Sequence, residues 1–305
     1  MTGSNVTKDF MATVKRRVVI FDGGMGSMLI AAGLTQREVP ESWTLSKPEK
    51  IAEVHAAYLQ AGGEVATTCT FGASRIKLHS SEAGKKLDVA AVNEKGVEIA
   101  RKAIEQSGKH DRFIAGDIGP TGLFFPPVGQ LKADEARKTF KEQAQILERA
   151  GVDLFIIETM YDIREAVEAL RGIREVSSRP VVVELTFDKK PRGYFTMMGD
   201  APGTAVEVLL KEGANVIGSN CTLQSGDMLG LVEEFRLLTD APLIFQPNAG
   251  RPVMEHGIAV YKQRPQEFAQ DIVKIVSAGA NAVGGCCGTT PDFIREVHNL
   301  LIHGK

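Results

Sequence analysis

Three of the four cysteines in this 305-residue chain stand where a metal site can be built. The segment Gly284-Gly285-Cys286-Cys287-Gly288-Thr289-Thr290-Pro291 carries two of them side by side. Neighbouring side chains of a strand point to opposite faces, so Cys286 and Cys287 can share one ion only where the strand has ended. The flanking glycines permit such a turn. A disulfide between them is the rival reading. Adjacent Cα atoms lie about 3.8 Å apart, under the usual disulfide minimum of about 4.4 Å, so that bond would be strained. Cys221 lies just past the strand expected at Asn215–Gly218, across the same mouth. Three thiolates with one open position describe a catalytic zinc site, and soft sulfur favours zinc over magnesium or calcium. Coordination removes the proton that a free thiol, with a pKa near about 8.5, keeps at neutral pH, and in-line attack on an activated methyl group is the natural use of such a sulfur. Cys69 has no partner motif and reads as a packed thiol.

Elements that can position these residues recur along the chain. Short β-rich apolar runs lie at Val18–Phe21, Val65–Thr68, Phe113–Ala115, Leu154–Ile157, Val181–Leu185, Val216–Ile217, Leu243–Phe245 and Ala282–Val283. Helical patterns separate them, among them Ala136, Phe140, Ala144 and Leu147, and Phe268, Ile272, Ile275 and Val276. A weak repeat, Ala61-Gly62-Gly63-Glu64, Ala150-Gly151-Val152-Asp153, Glu212-Gly213-Ala214-Asn215 and Ala278-Gly279-Ala280-Asn281, closes a helix and opens a strand each time. Eight strands alternating with helices predict one α/β domain, a (β/α)₈ barrel over 18–305 behind an extension at 1–17. Functional groups then belong at the C-terminal strand ends, which places Asp22, Cys69, Asp117, Glu158, Cys221, Asn248, Cys286 and Cys287 at the mouth, with zinc on that face.

Composition narrows the function classes. With 43% hydrophobic and 24% charged residues the chain reads as an ordinary globular body. A formal charge of -2 with no basic block argues against nucleic acid as a partner. Asn5, Lys8 and Asp9 interrupt any secretory signal and no apolar run reaches membrane-spanning length, so a cytoplasmic location is expected. The Asn-x-Thr triplets at Asn5 and Asn220 then read as chance. The six histidines have no metal-ligand spacing and are expected to be solvated.

Six motifs together resemble the homocysteine S-methyltransferases, most closely the homocysteine-binding module of cobalamin-dependent methionine synthase. They are Phe21-Asp22-Gly23-Gly24-Met25-Gly26, Gly116-Asp117-Ile118-Gly119-Pro120-Thr121-Gly122, Ile157-Glu158-Thr159-Met160, Ser219-Asn220-Cys221, Pro247-Asn248-Ala249-Gly250 and the Cys-Cys run ending at Pro291. The resemblance covers about Val18 to Leu300. It implies a barrel with zinc on Cys221, Cys286 and Cys287, homocysteine as substrate with its amino group on Asp22 and Glu158, and Asn220, Gly23 and Gly24 helping to position the carboxylate and backbone. It departs from the family at Thr68-Cys69-Thr70-Phe71, where Asn is usual for Cys69, and at Gln224-Ser225, where a Gly-Pro pair is usual.

The expected activity is zinc-dependent methyl transfer to homocysteine, giving methionine. The donor expected first is a methyl-corrinoid (methylcobalamin) on a separate protein, with S-methylmethionine or betaine next. Methylation of another thiol is an alternative, and a non-catalytic zinc- or thiol-binding subunit is the alternative of another class. As rival roles, Asp22 and Glu158 can cap helices, and Asp117 can order its loop rather than line the pocket.

Overall fold

The computed structural model describes residues 8–255 and 258–304, so Asn5 and the rest of residues 1–7 of the expected extension lie outside the described residues. Eight strands form the central sheet: β1 (Val19–Ile20), β2 (Val65–Thr67), β3 (Phe113–Ile118), β4 (Leu154–Met160), β5 (Val181–Leu185), β6 (Val216–Gln224), β7 (Leu243–Asn248) and β8 (Ala282–Val283). Each pairs in parallel with the next, β8 pairs with β1, and a bridge between Phe21 and Val65 joins β1 to β2. The expected (β/α)₈ barrel is therefore the observed one. A helix follows every strand: α1 (Pro48–Ala61), α2 (Val89–Ser107), α3 (Ala133–Ala150), α4 (Ile163–Arg174), α5 (Pro202–Lys211), α6 (Ser225–Leu238), α7 (Pro265–Ser277) and α8 (Pro291–His303).

The strand period of two sorts the side chains. Val19, Phe21, Val65, Phe113, Ala115, Leu154, Ile156, Val182, Val216, Ile244 and Ala282 meet inside the barrel. The alternate residues, among them Ile20, Ile114, Phe155, Ile157, Val183, Ile217 and Phe245, pack with the apolar stripes of the helices. Ala136, Phe140, Ala144 and Leu147 of α3 are all fully buried in that outer layer. A short helix ahead of β1, Phe10–Arg16, closes the N-terminal end of the barrel. Its Phe10 stands edge-on to Phe113 and Phe21, with ring centroids 5.5 and 6.1 Å away.

The weak sequence repeat marks a device at that same end. Gly62, Gly151, Gly213 and Gly279 each take a positive φ just past a helix, where a side chain is disfavoured. Two residues on, Glu64, Asp153, Asn215 and Asn281 each accept the backbone N–H of the preceding strand, from Ile20 (3.0 Å), Ile114 (2.8 Å), Val181 (2.8 Å) and Leu243 (3.0 Å). A cation backs every acceptor: Arg17, Lys8, Arg174 and Arg236 in turn. The strands are thus tied as β1 with β2, β3 with β4, β5 with β6 and β7 with β8.

Three features differ from the sequence expectation. His55 on α1 is fully buried, not solvated, because its position falls on the apolar stripe of that helix; burial holds its pKa down at about 4. The strand carrying Cys221 does not stop near Gly218 but continues to Gln224 through an irregular segment. Two hairpins, Asp188–Lys190 with Gly193–Phe195 and Val253–Glu255 with Ile258–Val260, extend the loops after β5 and β7. Among the described residues no helix is long and apolar enough to cross a membrane.

Phe10→Ala should lower the unfolding free energy by about 3–5 kcal/mol, the usual result of truncating a buried ring. Urea denaturation measures it, and a loss below about 1 kcal/mol would show that this helix is not part of the barrel core.

Candidate active site

Above the apolar layer the same inward phase turns polar. On β3 it runs Phe113, Ala115, Asp117; on β4 Leu154, Ile156, Glu158; on β5 Val182, Glu184; on β7 Ile244, Gln246, Asn248. These residues lie toward the C-terminal strand ends, where a cavity of about 250 Å³ opens. Asp22, Glu41, Asp117, Glu158, Cys221, Cys286 and Cys287 all line it, and no Lys or Arg does so among the described residues.

The three sulfurs lie within 4.8 Å of one another, with Cys221 Sγ and Cys287 Sγ 3.8 Å apart. They come from β6 and from the turn after β8, and β7 stands between those strands. Backbone bonds carry the turn across: Cys286 N–H donates to Pro247 O (2.9 Å), Cys287 N–H to Asn248 Oδ1 (3.1 Å), and Ala249 N–H to Cys287 O (3.0 Å). Its other side rests on the loop after β1. Gly285 N–H donates to Asp22 O (3.0 Å), Gly24 N–H to Thr289 Oγ1 (3.0 Å), and Thr289 Oγ1–H to Cys286 O (2.7 Å). A Cβ on Gly24 would stand 2.7 Å from Cys286 O, so only glycine allows this approach.

Cys221 reaches the cluster through a break in β6. Its φ is 59° and that of Thr222 is 52°, left-handed values unusual for either residue type, and the register with β7 shifts between Asn220 and Gln224. A second irregularity on β4 puts Thr159 at φ 59° beside Glu158. The fully buried Asn220 ties the two breaks together. Its Oδ1 accepts from Thr159 N (2.8 Å), and its Nδ2 donates to Glu158 Oε2 (2.7 Å), Thr159 Oγ1 (2.9 Å) and Cys286 Sγ (3.8 Å). Strained backbone of this kind persists where its surroundings over-determine it.

Charge in the site is frustrated. Cys286, bonded to Cys221 and Cys287 and buried between them, keeps its proton well above the ordinary thiol range, while bonds from Cys221 and Cys286 draw Cys287 down. The three thiols therefore do not ionise independently, and a cation is needed to hold all three as thiolates. Burial raises Asp22 to about 7 against the opposing bonds from Thr67 N and Oγ1, both 2.7 Å. Burial, then the charge of Asp22, raises Glu158 to about 7 as well. Asp117 and Glu184 are pushed well above the carboxylate range, first by burial and then by the charge of Glu158.

The structure thus gathers Asp22, Gly23, Gly24, Glu158, Cys221, Cys286 and Cys287 around one cavity. Asn220 stands behind it, bonded to Glu158 and the cysteine cluster. Cys69 lines the cavity but is not among the three clustered sulfurs, and Asn248 supports the Cys287 amide. Sequence reasoning missed Glu41, which accepts from Gly72 N (2.6 Å), and Glu184. An acid two residues after Val182, in the same inward phase of an otherwise β-branched strand, was the available signal for Glu184.

A family model described as homocysteine S-methyltransferase matches residues 19–301. The chain belongs to that family. Methionine synthases of Mycobacterium leprae and Mycobacterium tuberculosis are each 29% identical to it over 303 residues, covering 95% of this chain and 25% of their own length. The chain therefore spans about a quarter of the length of these curated relatives. Among solved structures, the metallated form of the homocysteine methyltransferase MmuM from Escherichia coli superposes with a TM-score of 0.76 at 23% identity, covering 93% of this chain and 96% of that one. The oxidised form of the same enzyme gives 0.74 at 23%, covering 92% and 94%. At this identity the likeness speaks for the barrel, and membership of the homocysteine S-methyltransferase family rests on the sequence match.

Both carboxyl oxygens of the fully buried Glu184 lack a protein partner. Glu184→Met should therefore raise stability by about 1–3 kcal/mol, the usual penalty of an unsatisfied buried polar group. Calorimetry would register this as a higher thermal midpoint; a lower one would mean that the carboxyl has a partner such as ordered water.

Proposed function

We propose that this protein transfers a methyl group to the sulfur of homocysteine, giving methionine, with zinc held by Cys221, Cys286 and Cys287. The observation that carries the reading is the sulfur cluster beside an acid-lined cavity. A tetrahedral zinc with sulfur bonds of about 2.3 Å separates its ligands by about 3.8 Å, and Cys221 and Cys287 stand at 3.8 Å. The donor set fits the ion in chemistry and in spacing. When bound, zinc would supply the Lewis acidity that takes the proton from an incoming thiol.

The remaining steps belong to the chain's own residues. Asp22 and Glu158 receive the ammonium group of the substrate, each already oriented by neutral donors, so the carboxylates need no rearrangement on binding. The turn at Gly23 and Gly24 lines the same cavity and is assigned to the substrate carboxylate and backbone. Asn220 acts through Glu158, because its amide is already bonded inside the protein. The donor proposed first is a methyl-corrinoid carried by a separate protein, in keeping with the likeness to methionine synthases. The absence of Lys and Arg from the described lining favours, as a second reading, a donor whose methyl sits on a cationic centre, such as S-methylmethionine or betaine, entering the cavity itself. A cytoplasmic protein with homocysteine as its small-molecule partner is the setting proposed.

Zinc-edge X-ray absorption with and without homocysteine tests the core of this reading. A rise from three to four sulfur neighbours is expected; an unchanged count, or no zinc, overturns it. Acidity gives a second test. Asp22 and Glu158, both raised to about 7, must be ionised to receive an ammonium. Homocysteine should bind more tightly as pH rises toward about 7, with these acids releasing protons on binding below that pH and progressively fewer above it. Calorimetric titration at several pH values reports both, and affinity that weakens over this range would contradict the assignment.

A further inference from the structure

The proposed function leaves two cavity acids without a task, Glu41, which accepts from Gly72 N, and Asp117. Asp117 is 4% exposed, and its place is fixed by its own backbone: its N–H donates to Thr68 Oγ1 (3.0 Å), and its carbonyl accepts from Thr70 Oγ1 (2.8 Å) and Gln143 Nε2 (3.3 Å). The carboxyl lines the cavity, and its Oδ1 is buried with no hydrogen-bond partner. On the next strand, in the same inward phase and one inward position further toward the C-terminal end, stands Glu158, since Asp117 pairs with Ile156 in register, and the two carboxyl groups interact.

Two interacting carboxyl groups in a site lined by no described Lys or Arg do not both ionise. The deeper one keeps a proton, and a neutral carboxyl next to a carboxylate donates that proton into a hydrogen bond. The oxygen of Asp117 that lacks a partner is then accounted for. Burial and the neighbouring charge of Glu158 favour the neutral form of Asp117.

We propose that Asp117 is a positioning residue for substrate recognition, donating a hydrogen bond as a neutral acid to Glu158 and fixing that carboxylate for the substrate ammonium. The two ammonium-binding acids then match in design. Asp22 is held by two donors, Thr67 N and Thr67 Oγ1. Glu158 is held by Asn220 Nδ2 from β6 on one side and by Asp117 from β3 on the other. A carboxylate fixed at both oxygens presents its remaining lone pairs in one direction, which favours a group with several N–H donors over an apolar one.

This inference rests on the reading that the pocket takes an amino-acid thiol, and the test separates the two. Calorimetry on the zinc-loaded protein compares homocysteine with 4-mercaptobutanoate, the same thiol without its amino group. For Asp117→Ala, homocysteine affinity should fall by about tenfold or more, the scale of one hydrogen bond to a charged group, with 4-mercaptobutanoate affected by less than about threefold. Asp117→Asn keeps a donor and should keep homocysteine affinity within about threefold of the wild type. Equal losses for both thiols in Asp117→Ala, or a loss in Asp117→Asn as large as in Asp117→Ala, would overturn the role assigned to Asp117. If the wild-type protein itself binds homocysteine no better than 4-mercaptobutanoate, it is the ammonium-recognition reading that fails.

Discussion

Bringing three sulfur atoms within 4.8 Å of one another is the constraint to which the upper half of this barrel is fitted. The thiols come from strands that are not neighbours, so the Cys286-Cys287 turn has to lean over β7 while staying attached to the loop after β1. That double attachment explains features that look unrelated along the chain. Gly24 has no side chain because Cys286 O occupies the space, and Thr289 closes the turn from within. Cys221 adopts a backbone conformation that its residue type avoids. The network converges on Asn220, whose single amide touches Glu158, the strained loop on β4 and the sulfur cluster. Sulfur cluster and acid-lined cavity are thereby one mechanical unit.

The barrel interior is divided by height. Its lower part is filled by Phe, Val, Ile and Leu side chains and closed by Phe10 and Val14, so it contributes packing. Its upper part holds acids that a stability-driven sequence would avoid, each raised by burial. The two parts share strands, and the change from one to the other occurs within two residues, as from Ala115 to Asp117 or from Ile156 to Glu158. The lower layers hold the strands at fixed heights, which lets the upper layer keep groups whose proximity is unfavourable without a ligand.

Much of this was legible in the chain. Apolar runs separated by helical stripes are a local signal, and all eight expected strands are present because a parallel strand buried on both faces needs such a run. The cysteines were legible because two adjacent thiols in a glycine frame have few other uses. What stayed hidden depends on contacts between strands. The continuation of β6 to Gln224 follows from its irregular pairing with β7, and the role of Asn220 from bonds to residues more than sixty positions away. Glu184 carried a signal in its phase along β5, yet only the closed barrel puts it next to Glu158. His55 was misjudged because its type reads as polar although its position falls on the apolar stripe of α1.

The ties at the N-terminal end divide the barrel into four strand pairs, and this has a consequence for the order in which the molecule can assemble. Each tie joins residues 44, 39, 34 or 38 positions apart, so it closes within one strand-helix-strand segment. The contacts of the mouth are longer: 66 positions separate Cys221 from Cys287, and 265 separate Gly24 from Thr289. Loop-closure entropy grows with that separation, so quarter-barrels can form independently while the mouth waits for the first and last strands to meet. The sulfur cluster is accordingly the last contact that these loops can close, and Cys221 has no thiol neighbour until the final strand and turn are in place.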